Sequence, residues 1–165
     1  MTGILRSLFT SFLLAAPLAA ATSPCAAPEY RQFDFWLGDW DVYDVGNAKP
    51  SMRIKVEKIL DGCALRETYQ DVNGMFGESI NVYDVGRKVW HQTWATNRGQ
   101  ALLLDGKFEN GRMAFTATEQ TAQGPVQWRA VWIPQGAEVR ETAETSTDSG
   151  KTWKPKFDIV FRKRP

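Results

Sequence analysis

Apolar and polar side chains alternate with period two along most of the chain from residue 39 onward. Met52, Ile54 and Val56 alternate with Arg53, Lys55 and Glu57; Met113, Phe115 and Ala117 alternate with Arg112, Thr116 and Thr118. Trp153, Phe157, Ile159 and Phe161 alternate in the same way with Lys154, Lys156, Asp158 and Arg162. Such a period predicts strands with one covered and one wet face. Turn residues cut these runs at short intervals, among them Asp61-Gly62, Asn73-Gly74, Asn110-Gly111, Gly124-Pro125, Pro134-Gln135-Gly136 and Ser149-Gly150. About ten strands result, over 39–45, 51–60, 63–71, 79–84, 88–96, 100–108, 112–120, 126–133, 137–146 and 152–162. A helical turn or two is expected only around Pro28 to Leu37.

Ten strands joined by short turns make a meander, and closing it into an antiparallel up-and-down barrel removes both edges. A two-sheet sandwich is the competing arrangement. Register then decides which side chains face the lumen. The apolar parity places Trp40, Val42, Leu65, Trp90, Trp94, Leu104, Trp128 and Trp132 inside. It places Trp153, Phe157, Ile159 and Phe161 there too. Glu67, Tyr69, Asn81, Tyr83 and Gln92 fall on the same side. A simple core would not collect so many polar groups, because each needs a partner once buried. A ligand cavity with a few orienting polar groups would. Two strands stay open in register. Ile80 and Val82 compete with Asn81 and Tyr83 for the inside, and Arg140, Thr142 and Glu144 compete with Val139, Glu141 and Ala143.

The first residues read differently. Arg6 precedes an apolar stretch from Leu8 to Ala16, Pro17 breaks it, and Ala19, Ala20 and Ala21 follow. This is the pattern of a secretory signal peptide over residues 1–21, leaving a single domain over 22–165 and a periplasmic or secreted protein. The stretch is too short to span a bilayer. The whole chain carries 20 Lys and Arg against 19 Asp and Glu, with no basic cluster beyond Arg162-Lys163-Arg164, which argues against nucleic acid as a partner. Its only two cysteines, Cys25 and Cys63, suit a disulfide in an oxidising compartment. The further ligands that a cysteine metal site needs are lacking nearby, and no metal or other cofactor is expected.

Gly38-Asp39-Trp40 opens the first strand and resembles the G-x-W of the lipocalin and wider calycin barrels. That resemblance implies a Trp closing the barrel floor and a cation from the chain's end packed across it, here Arg162 or Arg164. A broader likeness runs from Phe33-Asp34-Phe35-Trp36-Leu37-Gly38-Asp39-Trp40-Asp41-Val42 through Asp61-Gly62-Cys63 to Glu67. It continues in Gly77-Glu78-Ser79-Ile80-Asn81-Val82-Tyr83-Asp84 and Trp90-His91-Gln92-Thr93-Trp94. These segments resemble a bacterial family of short, often exported, lipocalin-like proteins without an established activity. The resemblance implies a fold more than a reaction.

Ser146-Thr147-Asp148-Ser149-Gly150-Lys151-Thr152-Trp153 matches the Asp-box pattern S-x-D-x-G-x-T-W. One copy cannot build a propeller, so it is expected to be a hairpin turn. His91 is the only histidine; a haem role would resemble that of the nitrobindin barrels. Alternation turns it away from Trp90 and Trp94, as a solvated strand residue. A Ser-His-Asp site lacks the G-x-S-x-G context.

Glu67 is the leading candidate for chemistry, because a carboxyl in an aromatic lumen has a raised pKa. The expected function is binding of a small apolar or amphipathic molecule, anchored by Glu67, Tyr69, Asn81, Tyr83, Gln92 and Glu144 among Trp90, Trp94 and Trp128. An enzyme using Glu67 and Tyr69 or Tyr83 as acid and base is the alternative. A filled barrel acting through its surface is the third.

Overall fold

Turn chemistry and alternation together divide the chain into ten strands, and their ends find each other. The computed structural model describes residues 24–165; the expected signal peptide lies outside them. The strands are β1 (Gly38–Asp44), β2 (Met52–Ile59), β3 (Ala64–Asp71), β4 (Phe76–Asp84), β5 (Val89–Thr96), β6 (Ala101–Glu109), β7 (Arg112–Thr121), β8 (Gly124–Gln135), β9 (Glu138–Ser146) and β10 (Lys154–Lys163). Each pairs antiparallel with its sequence neighbours, and β1 pairs with β10 to close the barrel. Closure leaves no sheet edge unpaired, which is the physical advantage of the barrel over the sandwich.

Short turns hold this order. Asn110 and Gly111 both take positive φ, 52° and 75°, as a two-residue hairpin between β6 and β7 requires. The expected turn at Gly124-Pro125 falls two residues earlier, at Ala122-Gln123, and Gly124 and Pro125 open β8. Pro125 sits opposite Gln120 in the last-but-one rung of the β7–β8 ladder. There, near the strand's start, a missing N–H is tolerated.

The N-terminal segment seals one end. Two 3-10 turns, Pro28–Arg31 and Asp34–Trp36, bring Phe33 and Trp36 into the closed end of the barrel, where both are fully buried. Phe33 stacks on Trp36 with centroids 4.8 Å apart and meets Trp90 and Trp132 edge-on. Trp40 donates its indole N–H to the Trp36 carbonyl at 2.9 Å, and Trp90 donates to Gln32 at 3.1 Å. Edge-to-face and offset aromatic pairs add stabilisation beyond their buried area, so this floor is a tight one.

The cation across Trp40 is Lys163 rather than Arg162 or Arg164. Its ammonium lies 3.8 Å from the Trp40 ring centroid and donates to the Leu37 carbonyl. Parity explains the correction, since Phe157, Ile159, Phe161 and Lys163 share the inner face while Arg162 covers Tyr43 outside and Arg164 pairs with Asp41. Burial lowers the Lys163 pKa. A second correction concerns Trp153. It lies in the turn before β10, with Arg129 stacked 4.3 Å over its ring on the outer face. A register shift between Pro155 and Phe157 separates its parity from that of the strand.

Cys25 and Cys63 form a disulfide with Cα atoms 5.0 Å apart, tying the plug segment to the start of β3. Among the described residues no helix is long and apolar enough to cross a membrane.

Candidate functional site

Lumen-facing positions grade from dry to wet along each strand. Trp90 and Gln92 on β5 are buried and Trp94 is half-buried; Trp132 and Ala130 on β8 are buried and Trp128 is half-buried; Phe161 and Ile159 on β10 are buried and Phe157 is half-buried. The wet positions all lie at the end opposite the plug. The inner side of the barrel therefore forms a cup-shaped lining with a buried aromatic floor at the plugged end and half-buried aromatic residues at the other.

A polar belt runs across the wall at mid-height. Glu67 on β3 and Ser79 on β4 are register partners, as are Asn81 on β4 and Gln92 on β5. Gln92 donates to Asn81 Oδ1 at 2.9 Å, Asn81 donates to Ser79 Oγ at 2.9 Å, and the Ser79 hydroxyl donates to Glu67 Oε2 at 2.7 Å. Every member is buried, and the donors all point toward Glu67. Such a chain polarises itself in one direction and ends on the group best able to accept negative charge.

Glu141 faces this belt from across the lumen. It stands on β9, which pairs with β8 and β10 and does not touch β3 in the sheet. It is 8% exposed, and no hydrogen bond reaches its carboxyl among the described residues. Burial, reinforced by the Glu67 charge, pushes its pKa well above the usual carboxyl range. Burial likewise raises Glu67 to about 7, although the Ser79 hydrogen bond pulls the other way. Desolvation thus outweighs one neutral hydrogen bond.

Tyr69 covers the pair on the rim side. Its ring stacks parallel to Trp94, with centroids 6.0 Å apart and planes 6° apart. Gly77 opposite makes room for it, since a Cβ there would lie 2.6 Å from Tyr69 Cε1. The Tyr69 hydroxyl is buried without a hydrogen-bond partner, and its pKa is pushed up to about 12 by burial and then by Glu67.

The sequence-predicted residues divide into three groups. Glu67, Tyr69, Asn81, Gln92 and Trp94 come together around the belt, with Trp128 on the rim, where it donates to Glu119 at 2.9 Å and lies under Lys156. Trp90 belongs to the floor instead, and half-buried Tyr83 lies beside it, 6.1 Å away and edge-on to Tyr30. Glu144 is a correction. It sits on the outer face, where Arg129 donates to it at 2.5 Å, because Val139, Glu141 and Ala143 take the inner parity. Ser79 and Glu141 are the belt members the sequence reading did not name as site residues. The first shares Asn81's parity, and the second lies in a strand whose two parities each carry acids.

His91 points outward, with Nδ1 2.7 Å from Asp105 and Nε2 3.2 Å from Thr93. The Asp-box residues form the β9–β10 hairpin, Thr152 donating to Asp148 from both its N–H at 2.9 Å and its hydroxyl at 2.6 Å. No group of three or more potential metal-ligating side chains occurs among the described residues. A recess of about 400 Å³ opens on the outer wall between Arg53, Lys55, Thr68, Gln70, Glu78 and Arg164. Most of these alternate with the inward-facing residues, but Ile54, Tyr69 and Gly77 border the recess as well, so it reaches the wall beside the Tyr69 ring.

Fold and site together define a calycin-like barrel, plugged at one end, with a polar belt beneath an aromatic rim. No protein-family model matches the chain, and no curated protein matches it.

Proposed function

We propose that this chain is an exported carrier that holds one small, largely apolar molecule in the barrel, its polar end against the Glu67 belt. One observation carries the reading: a hydrogen-bonded file of buried polar side chains ends on Glu67, opposite Glu141, beneath half-buried Trp94, Trp128 and Phe157. A core serving only the fold gains nothing from two raised carboxyls, because burying them costs several kcal/mol each. The aromatic rim supplies apolar area and the belt supplies orientation, the usual division in ligand cavities. The disulfide and the signal-like first residues support export, and the family resemblance across Phe33 to Trp94 supports the same lineage of small exported barrels.

The test is titration with the neutral apolar probe N-phenyl-1-naphthylamine, followed by its fluorescence and by tryptophan quenching. Saturable one-to-one binding that weakens in Trp94→Ala and in Trp128→Ala is expected. Binding without saturation, or unaffected by either change, overturns the reading.

A second reading is favoured by Glu67 itself. A carboxyl poised at about 7 beside an unpartnered tyrosine hydroxyl meets the condition for general acid–base chemistry. Mass spectrometry of small molecules incubated with the protein separates the two, since a carrier returns its ligand unchanged and an enzyme does not.

A further inference from the structure

We propose that the molecule held in the lumen carries a primary ammonium head on an apolar tail, with the head lodged between Glu67 and Glu141. The inference rests on the lumen reading above and adds the chemistry of the ligand's polar end.

Two buried carboxyls stand on opposite walls of the barrel, and among the described residues neither is paired with a cation. Glu67 is 7% exposed and has one neutral partner, Ser79; Glu141 is 8% exposed and has none. The surrounding elements add no positive charge at this height. β4 and β5 bring Ser79, Asn81 and Gln92, β2 brings Ile54 and Val56, and β8 and β10 bring Ala130, Trp132 and Ile159. The basic groups closest to the lumen are engaged at its two ends. Lys163 is held at the floor by Leu37 and Trp40, Lys156 lies over Trp128 at the rim, and Arg98 acts on Tyr69 from the mouth.

The donor chain ending on Glu67 favours its charged form, yet burial keeps that form costly. A cation entering the lumen resolves the conflict. It replaces one carboxyl proton, so that one ionised and one protonated acid share it, and it completes charge-assisted hydrogen bonds without leaving two carboxylates to repel each other. A primary ammonium offers three donors, and the inner wall carries acceptors with capacity to spare: the second Glu67 oxygen, the Glu141 carboxyl and the Tyr69 hydroxyl, which has no partner among the described residues. The stacked Tyr69–Trp94 pair gives a cation a favourable aromatic surface and an alkyl or aryl tail an apolar one. An anionic head would meet two acids, and a neutral hydroxyl would gain only ordinary hydrogen bonds.

Isothermal titration of the purified exported protein with n-octylamine, 1-octanol and octanoate tests this. At about pH 8 octylamine is expected to bind roughly tenfold or more tighter than octanol, and octanoate weaker than either. At about pH 6, below the value of about 7 to which Glu67 holds its proton, octylamine binding should release a proton, read as a buffer-dependent heat. Its advantage over octanol should shrink by roughly tenfold near about pH 5.5 relative to about pH 8. Glu67→Gln and Glu141→Gln should each reduce the amine-to-alcohol ratio. Octylamine no tighter than octanol, or binding without proton release, overturns the inference and leaves the lumen reading standing. No saturable binding of any of the three overturns both. Should either variant fail to fold, proton release by the wild-type protein still decides.

Discussion

Ser79 donates its hydroxyl to the Glu67 carboxyl across 2.7 Å, and among the described residues no other side chain donates to that buried acid. Behind it, Asn81 and Gln92 feed the same oxygen file. The balance between this support and desolvation sets how the barrel responds to pH.

Stability should fall as pH rises through neutrality. The unfolded Glu67 releases its proton near 4.3, whereas the folded group holds it to about 7. Between those values the folded state binds more protons, so the stabilisation is complete below the lower value and lost through the upper. Glu67 alone accounts for on the order of 3 kcal/mol. Glu141 acts in the same direction, its carboxyl also raised by burial. Urea unfolding at about pH 5 and about pH 8 should show this fall in the wild type and a smaller one in Glu67→Gln. A flat or rising profile would contradict the burial of these acids.

Gly77→Ala should damage the rim without touching the floor. The new methyl would meet Tyr69 Cε1 at 2.6 Å and the Ala95 carbonyl, neither of which yields easily in a closed sheet. Overpacking of this kind costs about 1–3 kcal/mol. The melting temperature should drop, and near-ultraviolet circular dichroism should report the loss of the parallel Tyr69–Trp94 stack. An unchanged aromatic spectrum would show that the ring has another place to go.

Asp148→Ala should loosen the β9–β10 hairpin and leave the lumen alone. Asp148 takes hydrogen bonds from Ser146 and twice from Thr152, and these hold its carboxyl at about 2. Its contribution is present above the ordinary aspartate range and lost as pH falls toward that value. Amide exchange should speed up across residues 146–153, while N-phenyl-1-naphthylamine binding stays as in the wild type. Loss of probe binding would mean that the hairpin supports the cup.

The strands were legible because each has one wet face, so apolar parity repeats with few exceptions. Glu67 and Gln92 could be placed by the same rule, since Leu65 shares the parity of the first and Trp90 and Trp94 that of the second. Asn81 lies on a strand whose register alternation leaves open, and its pairing with Gln92 settles it. The rule failed where parity was ambiguous or interrupted. In β9 the acids at 141 and 144 lie on opposite faces and the apolar residues are small. The ladders decide the register, setting Val139 opposite Phe161 and Glu141 opposite Trp132 and Ile159. Trp153 was misplaced because a register shift lies between it and Phe157, which no alternation count reveals. Lys163 was legible from the parity of Phe157, Ile159 and Phe161; the likeness to barrels with a terminal arginine drew attention to its neighbours instead.

Reduction of Cys25–Cys63 should open the dry end of the barrel before it unfolds the sheet. The bond closes a loop of 38 residues that contains the whole plug, β1 and β2. In the chain-entropy account a loop of that length is worth about 4 kcal/mol. The same junction is reinforced by Arg31, whose guanidinium donates to the Gly62 carbonyl at 2.6 Å and to the Cys25 carbonyl at 3.2 Å. With the disulfide cut, that guanidinium, the Trp90 to Gln32 hydrogen bond, the Lys58–Asp34 pair and the packing of Phe33 on Trp90 and Trp132 still hold the segment to the barrel. Intact mass of the exported protein after alkylation should show no free thiol until reductant is added. After reduction the melting temperature should fall, and amide exchange should rise first over residues 25–37. Two alkylatable thiols without reductant would remove the bond. Equal acceleration across all ten strands would show that plug and sheet unfold as one unit.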